Sequence, residues 1–576
     1  MKTYTMKKKT ILALVVLCGF ASAVRAQSNY DVLVKSAFSP VIQDAQKKIG
    51  FPAQIVDTVQ PRPKLDYPLQ VRPAQVQFVP EPIKPPRVGK DAVPRLYQHY
   101  AKVGVGYLQP LLEYDFNTLR STRQSFGLHL FSHSSLNQVK GCAPSGYSEN
   151  AFSLIARQYG GRLYWQEEAG YAFDLYHCYG YNADSLDKLY NWSQKASDIA
   201  RHYHRVHAAV KGYTPSTKTS LLLNRHYEAG YNLLYDNFHS YEHRAILAAG
   251  LDKRLMSSRL DMLRIEGGLG ADYIHNYWDT SKRKIDAWIF RASPAFRLEE
   301  GNWRLKAGLS VSAGLENGEM VQTMLFPDLY AHLDIVPEIL SVYAGAKGDV
   351  SRDAYGLLSL DNPFLAPEQN LAMERYFSIY AGTRTNLSNS LIFGARIGLE
   401  KHSGLAFYLP DTSLTALNDT TVLRLYNTFT VNHAPTFLTH AHLDVTYKFR
   451  EVLRVMGNLD YYSYNTDDSV TLYYLPQYSI SLSADYLWKK KIRFGVDWAW
   501  RGGLFAPVYG PGNVMDKASL PDWVDVSLNA EYIWNRRFRL FAELNNLLGR
   551  RNQRYANYYT ERFNCLFGLK YVFGGE

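Results

Sequence analysis

Ile492-Arg493-Phe494-Gly495-Val496-Asp497-Trp498-Ala499-Trp500 sets a large apolar side chain at every second position, with a charged or small residue between each pair. On an extended chain, successive side chains point to opposite faces, so this stretch has one apolar face and one polar face. The pattern recurs along most of the chain. Leu112, Tyr114 and Phe116 alternate with Glu113 and Asp115, and Trp303, Leu305, Ala307, Leu309 and Val311 alternate with Arg304, Lys306, Gly308 and Ser310. Ile480, Leu482, Ala484 and Tyr486 alternate with serines and Asp485. These runs last about 9–11 residues, which is longer than a usual soluble strand and is the length a tilted strand needs to cross a bilayer. Aromatic doublets such as Tyr461-Tyr462, Tyr473-Tyr474 and Tyr558-Tyr559 sit near their ends and are expected to form interfacial girdles.

Connections alternate in length. Short turns are expected at Gln109-Pro110 and Lys489-Lys490, and long polar loops at 183–200, 352–374 and 402–421. Short turns on one side and long loops on the other are the pattern of an outer-membrane barrel. The expected fold is therefore an all-β, transmembrane, antiparallel barrel over residues 98–576 with roughly 22 strands, since about 22 residues per strand and loop fill that length.

The 576 residues are 46% hydrophobic and 14% aromatic, which excludes a disordered chain. The longest apolar run, Ile11 to Ala21, is too short to span a bilayer as a helix. Residues 1–26 are expected to be a secretory signal: Lys2, Lys7, Lys8 and Lys9 precede that run, and small residues follow up to Ala26. Its removal takes away five basic residues and lowers the formal charge from +11 to +6, spread thinly, so nucleic acid is not an expected partner. Residues 27–97 hold 11 of the 25 prolines and are expected to form an extended, solvated periplasmic or lumenal arm with one short helix after Ser39.

The last 30 residues carry the most specific likeness. Asn545-Asn546-Leu547-Leu548-Gly549, Tyr555, Tyr558 and the final strand ending Phe567, Leu569, Tyr571 and Phe573 resemble the closing hairpin of TonB-dependent receptor barrels. Asn362-Pro363-Phe364 followed by Tyr376–Thr383 resembles mid-barrel strands of that family. The resemblance implies a cell outer-membrane location. It implies that Phe567, Leu569, Tyr571 and Phe573 form the signal read by the barrel-assembly machinery during insertion. Outer-membrane lipid and other envelope proteins are the remaining implied partners. Where those receptors carry a folded plug, residues 27–97 are rich in proline. This departure resembles a plugless branch, some of whose barrels are accessory subunits of outer-membrane assembly complexes. A non-enzymatic subunit or scaffold is the function so implied, with a solute transporter or channel of receptor type as the alternative.

The sequence contains no Gly-x-Ser-x-Gly, His-Glu-x-x-His or Cys-x-x-Cys, and no catalytic residue or cofactor is expected. His202 and His204 share a strand face and are the metal candidates, against a plain role as lumen or interface histidines; His440 and His442 repeat the pattern on a lumen face. Glu113, Asp115, Arg304, Lys306, Arg493 and Asp497 are expected to face the lumen and to satisfy one another across strands. A Cys142–Cys178 disulfide is possible in an oxidising compartment, with unpaired thiols as the alternative.

Overall fold

The computed structural model describes residues 96–575 except 120, 122, 161–162, 191, 193, 215–222, 256–262, 417–421, 467–469 and 510–514. The signal segment and nearly all of the proline-rich arm lie outside the described residues. Contacts divide the chain into residues 1–90 and 91–576, and the second unit is a closed antiparallel barrel of 22 strands. Each strand pairs with its successor, and the first, Tyr97–Gly106, pairs with the last, Asn564–Gly575. No described helix is long and apolar enough to cross a membrane.

Alternation becomes an outer and an inner face. Val103, Val105, Leu112, Leu247, Leu269, Leu325, Ile397, Val496 and Phe567 are exposed on the outside. In water such a belt would be a liability; against acyl chains it is the solvated surface. Replacing Leu269, 67% exposed on this belt, with arginine is expected to cost about 2–4 kcal/mol if it sits near the bilayer midplane. Urea titration of the barrel folded into lipid vesicles would measure the cost, and a neutral result would argue that this face does not meet lipid.

The seam where the barrel closes shows how the inner face manages charge. Lys102 and Lys570 stand directly opposite one another, an unfavourable pairing. Glu543 takes Lys102 at 3.0 Å, and Glu531 takes both Lys570 at 2.6 Å and Arg539 at 3.0 Å. The Phe541 ring lies between the two lysines, 4.8 and 5.4 Å from their ammonium groups.

Two expectations are corrected here. Several strands are much longer than 9–11 residues, up to 21 in Phe429–Phe449, because pairing continues past the apolar belt. The first short turn is at Tyr107-Leu108 rather than Gln109-Pro110, which already belongs to the second strand; Leu108 adopts φ +53°. That turn also lies at the end of the barrel opposite the termini, as do the short connections 237–240, 279–282 and 317–318. Lys489 and Lys490 do make a tight turn at the terminus end, both with positive φ.

Every connection of eleven residues or more lies at one end of the barrel. Connections 136–146, 178–199, 353–372, 411–428, 467–477, 503–522 and 546–563 all emerge at the end opposite the termini. Connections 301–302, 337–339, 389–390, 450–452 and 489–491 lie at the terminus end.

Candidate functional site in the capped mouth

The long loops fold together across the barrel mouth. Tyr355, Leu365, Leu371, Leu472, Tyr473, Tyr474, Leu504, Leu520, Tyr555 and Tyr558 from four loops form one buried cluster with Tyr203, Leu234, Trp278, Phe407 and Phe429 from the strand ends. Tyr473, Tyr474 and Tyr558 are thus cap residues and not lipid-facing girdle residues, because loop burial rather than strand parity decides their place. Tyr461 does point outward.

The loop 353–372 is the keystone. It carries a short helix, Tyr355–Asp361, whose N-cap residue Ala354 has no side chain able to accept a hydrogen bond. The barrel wall supplies the acceptor: Glu242 accepts the backbone N–H groups of Tyr355 at 2.6 Å and Gly356 at 3.0 Å, and the Asn276 amide at 2.8 Å. A Cβ at position 356 would stand 3.2 Å from Glu242 Oε1, so glycine permits this close approach.

Tyr355 reaches down into a buried charge pair. Its hydroxyl donates to Asp236 at 2.8 Å and accepts from Arg201 Nη2 at 2.8 Å, while Arg201 and Asp236 lie 3.5 Å apart. Burial raises the Tyr355 hydroxyl well above the ordinary tyrosine range, so it stays a donor. Trp278 packs edge-on to the same ring at 4.8 Å. Removing only the hydroxyl, Tyr355→Phe, is expected to cost about 1–3 kcal/mol in local stability, read from hydrogen exchange of the helix amides.

At its far end the helix is held by a second wall, by a neighbouring loop and by the strand that carries Arg201. Asp361 accepts from Arg554 at 2.5 Å and Tyr408 at 2.9 Å, and Tyr203 donates to the Pro363 carbonyl at 2.9 Å. Asn362-Pro363-Phe364, which the resemblance assigned to the approach to a mid-barrel strand, is instead the segment crossing the mouth. Phe364 stacks on Tyr558 with ring centroids 3.9 Å apart. Gln369 then ties the return segment to the wall, donating to the Phe429 carbonyl at 3.1 Å and accepting from the Val431 amide at 2.9 Å.

Beside the cap is a cavity of about 390 Å³ lined by aromatic and acidic groups, among them Tyr147, Tyr179, Phe364, Trp523, Glu149, Asp525 and Glu561. Glu149 accepts from the Tyr176 hydroxyl at 2.6 Å, and Glu561 accepts from Ser135 and Gln109, both at 2.5 Å. Among the described residues no lysine or arginine lines it, so the space is suited to a small polar or cationic molecule that can also stack on rings.

The lumen charges divide by partner. Glu113 and Asp115 lie on the inner face with His129, whose Nδ1 is 2.7 Å from Asp115. Lys306 pairs with Asp328 at 2.5 Å, and Arg304 approaches Asp334 and His332. Asp497 accepts from Ser483 and Asn529, and Arg493 remains exposed on the same face. The six residues are not gathered into one site.

His202 and His204 require correction as a metal pair. Arg201, Tyr203 and Arg205 take the inward positions of their strand, which leaves the two histidines on the outer face. There His204 hydrogen-bonds the Tyr171 hydroxyl at 2.8 Å, and both rings pack on Phe173. No carboxylate joins them among the described metal-capable clusters. Those clusters are His440, His442 and Asp460, and Glu113, Asp115 and His129. Phe567 and Leu569 are likewise on the outer face, and Tyr571 and Phe573 stack on one another at 5.1 Å.

Cys142 and Cys178 are both free, so the possible disulfide is not formed. Cys178 is instead buried with Ala143, Tyr181 and Ile199, and burial pushes its thiol up to about 11. It is expected to resist maleimide at pH 8 in the folded barrel and to react on denaturation, which mass spectrometry of the labelled peptides would score.

No protein-family model matches the chain, and no curated protein matches it significantly. Solved structures do. The siderophore receptor PirA from Acinetobacter baumannii aligns with TM-score 0.63 at 9% identity, over 84% of this chain and 81% of its own. The pyoverdine outer membrane receptor FpvA from Pseudomonas aeruginosa aligns with TM-score 0.61 at 12% identity, over 84% and 79%. The copper transporter OprC aligns with TM-score 0.58 at 12% identity, over 83% and 80%. These likenesses carry the fold: the chain is a 22-stranded barrel similar to those of TonB-dependent outer-membrane receptors.

Proposed function

We propose that this protein is a non-enzymatic outer-membrane receptor that admits a small solute when the loop 353–372 leaves the mouth. One observation carries the reading: a loop from the middle of the chain crosses the mouth and its helix is held at its two ends by different groups, Glu242 and Asp236 of one wall and Tyr408 of another wall together with Arg554 of a neighbouring loop. A scaffold would need no such polar keystone under an aromatic cap, whereas a gate needs a closed state that is specific yet separable. The similar structures named above are receptors and a transporter, which favours uptake over the assembly-complex role implied by the resemblance. The cavity beside Phe364, with its carboxylates and aromatic faces, is the first binding place for the solute.

Cells expressing a chain with residues 355–366 replaced by a short Gly-Ser linker are expected to become sensitive to large polar antibiotics that the outer membrane normally excludes. Cells with the intact chain stay resistant. Equal resistance, with the variant barrel shown to be folded and at the surface, would remove the gate. Recovery of the intact chain only as part of a large envelope complex would restore the scaffold reading.

A further inference from the structure

We propose that His440, His442 and Asp460 form a binding site for a divalent transition-metal ion on the inner wall of the barrel. This inference does not depend on whether the barrel carries a solute. Within Phe429–Phe449, Phe437, Leu443, Val445 and Tyr447 are exposed on the outside, so His440 and His442 project into the lumen. On the neighbouring strand Asp460 stands directly opposite His442 in register, and its exposed neighbour Tyr461 fixes Asp460 as inward too. Three donors are therefore placed by two paired strands rather than by loops.

The spacing suits an ion. His442 Nδ1 and His440 Nε2 lie 2.7 and 3.0 Å from the same Asp460 oxygen. Two donors each about 2.1 Å from one ion are about 3.0 Å apart at right angles and about 3.4 Å apart in a tetrahedral site, so coordination requires the side chains to separate by less than about 1 Å. Two imidazoles and one carboxylate favour zinc, copper, nickel or iron over magnesium or calcium.

The surroundings keep the site open. Gly398 is the register partner of His440, and even a Cβ there would meet nothing closer than 3.7 Å. Arg396, opposite His442, lies over the Tyr380 ring at 4.4 Å. Tyr462 stacks on His440 at 4.5 Å and sets the plane of its ring. Asp444 stands 3.6 Å from His442 Nε2, on the side away from Asp460, where an acceptor orients a ligating imidazole. Ligand positions not filled by protein face the lumen.

The test uses the full chain, purified in detergent and stripped with chelator. Calorimetric titration with zinc is expected to find a site that disappears in H440N/H442N and persists in H202N/H204N. D444N is expected to weaken it about tenfold to a hundredfold. The Cu(II) form of the unmodified chain is expected to show electron paramagnetic resonance couplings to two imidazole nitrogens, which the Glu113, Asp115 and His129 cluster cannot give. Heat-modifiable migration on gels checks that each variant is folded. Zinc stoichiometry unchanged in H440N/H442N overturns the proposal. If that variant does not fold, fewer than two coupled nitrogens in the unmodified chain overturns it equally.

Discussion

Asp236→Asn is expected to destabilise the cap by about 3–5 kcal/mol, since it leaves the Arg201 guanidinium buried without its carboxylate. Arg201 is 2% exposed and Asp236 fully buried, and Arg201 Nε and Nη1 have no hydrogen-bond partner, so the charge has little other compensation. Stacking on Phe238 at 4.3 Å remains, but a ring face does not replace a carboxylate. Asparagine can still accept the amides of Phe238 and Ser240, each now 2.9 Å from Asp236 Oδ1, so the local turn survives and the loss isolates the charge. The same logic gives the control. Removing the charge as well, in R201M/D236N, should recover much of the loss, because no buried charge is left and asparagine still meets the Phe238 and Ser240 amides and the Tyr355 hydroxyl. Hydrogen exchange of the amides in 355–361 would read both effects. A D236N barrel with undisturbed exchange would show that the pair does not hold the helix.

Tyr558→Ala is expected to cost about 3–5 kcal/mol, the range for deleting a buried aromatic ring. Tyr558 joins loops that are distant in sequence: its ring lies 3.9 Å from Phe364, 4.8 Å from Tyr179 and 5.7 Å from Phe429. Its hydroxyl donates to the Asn427 carbonyl. It also fills the space above Gly180, where an added Cβ would come within 2.2 Å of the ring. Tyr558→Phe keeps the stacking and should cost only about 1 kcal/mol, the value of one hydrogen bond. Limited proteolysis within 353–372 on intact cells would separate the two variants: the alanine form should be cut and the phenylalanine form protected. Equal protection would mean that Tyr558 does not join the loops.

The barrel was legible because its physics is periodic. Ile492–Trp500 and its counterparts divide lipid from lumen at every second residue, and that pattern survives any uncertainty in strand ends. The placement of His202 and His204 was also within reach: they share parity with Val206, Ala208 and Val210, which marks their face as the outer one. The cap was not legible. Tyr473-Tyr474 and Tyr558 look like girdle aromatics until the loops are seen to fold inward, and parity says nothing about loops. The seven residues Tyr355–Asp361 contain no periodic signal, and their N-terminal acceptor, Glu242, is more than a hundred residues away. The joining of His440 and His442 with Asp460 likewise depends on strand register, which alternation alone does not set.

Single-channel recording in planar bilayers tests the central claim, that folded loops close a receptor-type barrel, most directly. Four forms are compared: the chain with and without residues 27–94, each with the loop intact or with 355–366 replaced by a linker. Steady conductance is predicted when the arm is absent and the loop replaced, and no steady conductance when the loop is intact, whether or not the arm is present. Equal conductance from intact-loop and replaced-loop forms, or none from any form, would contradict it.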